Sequence, residues 1–385
     1  MKPIPYGKQF ITQDDINAVV TTLQSDFLTQ GPEIEKFEKK FADYIGVKYA
    51  VAVSNGTAAL HLSALALNVN ETSNVITTPL TFAASANCIR YCGGNVFFAD
   101  IEKESYLVDL DKVETLIRSK PPHFFSGIIP VDFAGRGVNL ENLRTLADKY
   151  GLWILEDACH APGGYFLDSN NVKQFCGDGR FAELAIFSFH PVKHIACGEG
   201  GMITTNDEKL YKRLLLLRTH GITKDPCLLH ENHGGWFYEM QELGYNYRLT
   251  DFQAALGISQ LARAEEGLQK RRELAQRYFD AFAEFDEIIG QSGYVEGHAY
   301  HLYIIQVNKR LELYNYLRSK NIFTQVHYIP VHTLPYYQKL GWKQGDFPVA
   351  ENYYQHCLSL PMFPTLTGDE QQYVIDEVKN FYLDK

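Results

Sequence analysis

Three short segments carry side chains whose types and settings suit chemistry. Lys193 closes the run Ile186-Phe187-Ser188-Phe189-His190-Pro191-Val192-Lys193, just past a hydrophobic stretch and just before Gly198-Glu199-Gly200-Gly201. A lysine at a strand end, beside a flexible loop, can serve as an amine nucleophile. Glu156 and Asp157 close a second hydrophobic run, Leu152-Trp153-Ile154-Leu155. A carboxylate there is costly to dehydrate unless it meets a cation, and open α/β sheets bind ligands beyond the carboxyl ends of their strands. In the third segment, Ser54-Asn55-Gly56-Thr57-Ala58-Ala59-Leu60, a β-rich run passes through a glycine turn into a helix expected to begin at Ala58. The bare N–H groups and positive dipole end of such a helix suit a phosphate. Each segment alone has an ordinary reading: a cap by Ser54 or Thr57, a cap by Glu156 or Asp157, a solvated lysine.

Together the three meet the needs of a pyridoxal phosphate site. The turn holds the phosphate, the acid keeps the pyridine nitrogen protonated so that the ring accepts electrons, and the amine holds the aldehyde and moves protons. No G-x-G-x-x-G or Walker pattern occurs, so dinucleotide and P-loop readings lose their main support.

Such a site needs a parallel sheet to align its strand ends, and the pattern supplies one. Continuous apolar runs recur at 49–53, 75–78, 96–99, 128–131, 152–155, 185–189 and 202–205, each followed by a turn and a helical stretch. Continuous runs suit strands covered on both faces by crossover helices. Pro32 and Gly46 bracket a helix with Ile34, Phe37, Phe41, Tyr44 and Ile45 on one face. Residues 252–285 read as one long helix with a kink at Gly267. A strand at 301–307, a helix at 311–320, a strand at 323–329 and a helix at 369–382 follow. The chain of 385 residues is therefore expected to form a large α/β domain over 1–255 and a smaller α/β domain over 256–385.

Composition narrows the function. With 36 Lys and Arg against 46 Asp and Glu, the net charge of −10 is unfavourable for a nucleic-acid binder. Residues 49–70 carry no Asp, Glu, Lys or Arg, but Ser54-Asn55-Gly56-Thr57 breaks the stretch, which argues for strand and helix instead of a membrane span. Seven scattered cysteines, and an N-terminus (Met1 to Tyr6) without an apolar run behind its lysine, point to a cytoplasmic protein. Cys88 and Cys92 lack a second pair to complete a zinc site, and His230-Glu231-Asn232-His233 reads as a polar loop, so no metal is expected.

The sequence resembles the DegT/DnrJ/EryC1/StrS family of nucleotide-sugar aminotransferases over nearly its whole length. The resemblance rests on Leu28-Thr29-Gln30-Gly31-Pro32, Asn55-Gly56-Thr57-Ala58-Ala59-Leu60, Glu156-Asp157-Ala158-Cys159-His160-Ala161, Ser188-Phe189-His190-Pro191-Val192-Lys193 and Gly244-Tyr245-Asn246-Tyr247-Arg248-Leu249-Thr250-Asp251. It implies the aspartate-aminotransferase-like fold (fold type I). It implies Lys193 as the Schiff-base lysine, Asp157 at the pyridinium nitrogen and His160 near the ring hydroxyl. Phe82 would lie against the ring, and Thr57, Ala58 and Ser188 would hold the phosphate. Asn246 would reach the neighbouring active site, which implies a homodimer.

Gln325-Val326-His327-Tyr328-Ile329-Pro330-Val331-His332, Pro335-Tyr336-Tyr337, Leu358-Ser359-Leu360-Pro361 and Ile4-Pro5-Tyr6-Gly7 resemble the branch of this family that serves pseudaminic acid biosynthesis. The implied reaction moves the amino group of L-glutamate, by way of pyridoxamine phosphate, to C4 of a UDP-linked 4-keto-6-deoxy-N-acetylhexosamine. Tyr6, His327, Tyr328 and His332 are then candidate substrate contacts. GDP- or dTDP-linked keto sugars are the alternative substrates. A dehydratase on this scaffold would carry histidine in place of Lys193, and a regulatory homologue would not need Lys193, Asp157 and His160 together.

Overall fold

The computed structural model describes residues 2–383; Met1 of the N-terminal segment, and Asp384 and Lys385 at the end of the second expected domain, lie outside the described residues. A seven-stranded sheet runs in the order Tyr49–Val53, Gly201–Thr205, Leu184–Ser188, Trp153–Asp157, Gly127–Ile129, Asn74–Thr77, Asn95–Phe98. Gly201–Thr205 is antiparallel to both its neighbours, while the pairs from Leu184–Ser188 out to Asn95–Phe98 are parallel. The seven apolar runs thus form the seven strands, each within a residue or two of its expected bounds. Val51, Val53, Val75, Ile76, Ile128, Ile154, Leu155 and Ile186 are fully buried, as a sheet covered on both faces demands.

Local chemistry sets the helix ends. Pro32–Ile45 begins on its proline and stops at Gly46, whose φ of 84° is left-handed. Leu140–Tyr150 is capped by the Asn139 side chain on Asn142 N–H. The long helical pattern is two helices, Asp251–Leu261 and Ala264–Phe282. The chain bends at Arg263 (φ −120°, ψ 17°) and not at Gly267, which sits inside the second helix facing Pro364. The Arg263 side chain leaves the helix axis to bind Asp15 and the Phe10 carbonyl, which accounts for the break being there.

A second sheet, Ile288–Gln291, Tyr303–Val307, Cys357–Leu360, packs with Ala264–Phe282, Arg310–Ser319 and Gly368–Leu383 around Tyr278, Tyr303, Leu317 and Val374. Ile4 belongs to this core too, because Ile4–Pro5 pairs in parallel with Ile322–Phe323. The strand expected over 323–329 is only that two-residue element. Beyond it Gln325 makes a single bridge with Ser359, the His327 carbonyl accepts from the Tyr353 hydroxyl at 2.8 Å, and Pro330 has no N–H to offer. No helix among the described residues is long and apolar enough to cross a membrane.

Candidate active site

The strand ends converge on a cavity of about 700 Å³. Its floor is the turn after Tyr49–Val53. The helix there starts at Gly56, two residues before the expected Ala58, and its cap is Asn55, whose Oδ1 accepts from Ala58 N–H at 2.8 Å. Ala58 therefore lines the cavity with its amide already engaged, while the Gly56 and Thr57 amides have no partner among the described residues. A Cβ on Gly56 would lie 3.0 Å from Ser188 Cβ, so this close approach needs glycine. Ser188, at the end of its own strand, brings a hydroxyl to the same floor. Two open amides and a hydroxyl at a helix start fit a phosphate group.

Glu156 and Asp157 are consecutive on one strand and so face opposite ways. Asp157 faces the cavity, where its Oδ2 accepts from Ser85 Oγ at 2.7 Å and its Oδ1 from Cys159 N–H at 3.2 Å. Glu156 lies behind the sheet, taking Gly177 N–H at 2.9 Å, and does not line the cavity. Lys193 enters from the bend after Leu184–Ser188. Burial holds its ammonium below the usual lysine range, and the nearby Cys159 and Asp157 act in the opposite sense.

His160 accepts from Ala134 N–H on Nδ1 at 3.2 Å, and its Nε2 is 3.2 Å from the Tyr328 hydroxyl. A ring with a backbone donor on Nδ1 carries its proton on Nε2. Burial accordingly keeps its pKa well below 6.5, with Lys193 adding to the effect. Phe82 lines the cavity yet is 61% exposed, an aromatic face with space before it that a planar ring can fill. An amine, a fixed carboxylate, a phosphate floor and an uncovered aromatic fit pyridoxal phosphate.

Tyr6, His327 and Tyr328 line the same cavity. His332 does not: it is fully buried, with Nε2 2.9 Å from Glu351 Oε1, and serves packing. Asn246 does not line the cavity of its own chain; it is exposed and bridges Thr219. Sequence reasoning overlooked Ser85, Tyr247 and His301, all cavity residues. Tyr247 lies in the family-like segment 244–251 beside Asn246; the signal for Ser85 and His301 is three-dimensional, since each lies more than 50 positions from both Asp157 and Lys193 in the chain. The loop histidines pair with acids, His230 with Glu239 and His233 with Glu231.

The chain matches the DegT/DnrJ/EryC1/StrS aminotransferase family over residues 9–379 and belongs to it. It is a pyridoxal-phosphate-dependent sugar aminotransferase of fold type I. It is 38% identical to the spore coat polysaccharide biosynthesis protein SpsC of Bacillus subtilis, covering 98% of this chain and 96% of that one. It is 36% identical to the UDP-4-amino-4,6-dideoxy-N-acetyl-β-L-altrosamine transaminase of Campylobacter jejuni, covering 97% and 96%. The solved structure of Helicobacter pylori PseC, an aminotransferase involved in the biosynthesis of pseudaminic acid, matches with a TM-score of 0.89 at 30% identity, covering 100% of both chains.

Proposed function

We propose that the chain transfers the amino group of L-glutamate to C4 of a UDP-linked 4-keto-6-deoxy-N-acetylhexosamine, as in pseudaminic acid biosynthesis. The observation that carries this reading is the end-to-end likeness to the C. jejuni transaminase and to PseC. The placing of Tyr6, His327 and Tyr328 in one cavity wall adds support, since these lie in the segments that resemble that branch.

Pyridoxal phosphate supplies the electron sink that allows an amine and a carbonyl to exchange places. The chain's own groups do the rest. The Gly56 and Thr57 amides and the Ser188 hydroxyl would hold the phosphate. Asp157, oriented by Ser85 and the Cys159 amide, would meet the ring nitrogen and keep it protonated. Lys193, with its ammonium destabilised by burial, can take up a proton at Nζ and return it. Phe82 would lie against the ring, and the Nε2–H of His160 would be a donor beside it.

The active unit in this reading is a homodimer in which Asn246 serves the neighbouring site. Two features support it: Asn246 is exposed, and the helix Gln13–Leu23 leaves Ile16, Val20 and Leu23 about half exposed. The domain division at 255/256 and a cytoplasmic setting belong to the same reading; seven unpaired cysteines are in keeping with the latter.

The equally extensive likeness to SpsC, a spore coat polysaccharide biosynthesis protein, favours keeping another nucleotide keto sugar as the competing reading. An amine-transfer assay with glutamate across UDP-, GDP- and dTDP-linked keto sugars, with product stereochemistry read by NMR, decides. Amination of the UDP-linked 4-keto precursor is expected. Its inertness alongside turnover of a GDP- or dTDP-sugar would overturn the substrate and leave the chemistry standing.

A further inference from the structure

Behind Asp157, on the far side of its strand, is a second group of ionisable side chains. Asp132, Glu156 and Cys176 are 0%, 1% and 1% exposed, and one ligand atom of each lies within 4.8 Å of the others. Asp132 Oδ1 accepts from Val138 N–H at 2.9 Å and Glu156 Oε2 from Gly177 N–H at 2.9 Å. The other oxygen of each acid, Oδ2 and Oε1, receives no backbone or amide N–H; what can engage them is the partner acid and, at Asp132, the Cys176 thiol. The groups acting on the pair are Asp157, Asp178 and Cys176, with Cys159 beside them, and none of these is a cation.

Two ionised carboxylates in such a place would repel each other and forgo hydration with nothing in return. One proton removes both penalties, because one acid then donates and the other accepts. Burial raises both groups above the usual carboxylate range; the charges of Asp132 and Asp178 add to it at Glu156, while at Asp132 the Val138 N–H and hydrogen bonds with Glu156 and Cys176 offset part of it, in line with a retained proton.

The pair joins the parts on which the cavity depends. Asp132 opens the turn over 132–138, and its N–H donates to the Asp157 carbonyl at 3.0 Å. Ala134, in that turn, supplies the N–H that fixes the His160 tautomer. Gly135 and Ala134 accept, through their carbonyls, from Ala299 N–H at 2.7 Å and Leu302 N–H at 3.1 Å, which flank the cavity residue His301. Ala134 (φ 60°) and Gly135 (φ 102°) have left-handed backbone, which only its surroundings can hold in place.

We propose that Asp132 and Glu156 share a single proton, and that this proton latches the 132–138 turn to the strand bearing Asp157, making both acids positioning residues for the cofactor site. The inference rests on the cofactor site and is independent of which sugar is aminated. A shared proton gives the pair one negative charge and one internal donor. Glu156→Gln reproduces both, with an amide N–H that does not titrate.

The test follows hydrogen–deuterium exchange at residues 134–138 and cofactor dissociation from the holoenzyme, from neutral to alkaline pH. In the wild type, exchange corrected for its intrinsic rate should rise about tenfold or more toward alkaline pH, and cofactor should be released more readily. Glu156→Gln should match the wild type at neutral pH and stay flat above it, while Glu156→Ala should be unprotected throughout. Should Glu156→Ala not fold, Asp132→Asn is the second variant, and it should give the same flat profile. A Glu156→Gln profile that follows the wild type overturns the proposal. So does one equivalent of tightly held metal, found by elemental analysis in the wild type and lost in Glu156→Gln.

Discussion

Ser85 Oγ donates to Asp157 Oδ2 at 2.7 Å, and the same hydroxyl lies 2.7 Å from Thr81 Oγ1. Ser85 is fully buried on the helix Ala84–Tyr91, so a rigid element sets the angle at which the Asp157 carboxylate meets the cavity.

Ser85→Ala removes that donor and leaves the backbone otherwise in place. A hydrogen bond to a charged acceptor contributes about 1.5–3 kcal/mol, and the loss should appear as roughly tenfold or greater weakening of cofactor affinity. An absorbance titration of the apoenzyme with pyridoxal phosphate measures it.

Lys193→Ala should abolish the visible absorbance of enzyme-bound cofactor and reduce turnover by about 10²–10⁴-fold or more. In the apoenzyme, the buried amine should ionise at lower pH than free lysine, so its reactivity should rise below pH ~10.4. The pH dependence of apoenzyme recombination with pyridoxal phosphate reads this directly, and a transition at or above that pH would count against the burial of Nζ.

Gly56→Ala places a methyl 3.0 Å from Ser188 Cβ, on the floor where two amides are open. The strand and the Asn55 cap should survive, leaving thermal stability within about 1–2 kcal/mol of wild type. Cofactor retention on gel filtration should drop markedly. Unchanged retention would show that the phosphate sits elsewhere.

His327 and His332 separate substrate contact from packing. His327 lines the cavity, is held by Ser359 Oγ at 2.8 Å, and burial brings its pKa down to about 3, so it is neutral at physiological pH. His327→Asn should raise KM for the sugar with little change in melting temperature. His332→Asn should lower the melting temperature, by breaking the contact with Glu351, and leave KM near wild type. Steady-state kinetics beside a thermal melt checks both.

Acid stability should depend on Asp15, which has no exposed side-chain surface. Burial on its own would raise its pKa, but hydrogen bonds from Arg263 and Ser259, the Thr12 N–H and the charge of Arg263 bring it down to about 2. The unfolded chain has the ordinary value of about 3.9. The stabilisation is therefore complete above about pH 4 and is lost as pH falls toward 2. Asp15→Asn should be less stable at pH 7 and should show a flatter stability curve between those values in urea titrations.

Much of this arrangement can be read from residue order alone, because strand ends are marked locally. A run such as Leu152–Leu155, charged at its end, announces both a buried strand and the place where its carboxylates meet solvent or ligand. Lys193 and Asp157 were legible for that reason. Which of Glu156 and Asp157 faces the ligand depends on strand parity relative to the sheet's two faces, which no run of letters records. The same holds for Ser85 and His301, whose places in the cavity wall come from meeting distant partners. Asn55, not Ser54 or Thr57, caps the helix Gly56–Ala66, since all three are good caps and only the turn geometry chooses among them. His332 was misplaced because a histidine near a turn gives no sign of the glutamate that will bury it.

The pairing of Ile4–Pro5 with Ile322–Phe323 has a bearing on how the protein is made. Tyr6 joins its cavity wall only after a segment more than 300 positions downstream has left the ribosome. Residues 4–6 are thus among the last to dock although they precede the central sheet in the chain, and a substitution that breaks this pairing would hinder completion of the pocket while the central sheet assembled normally.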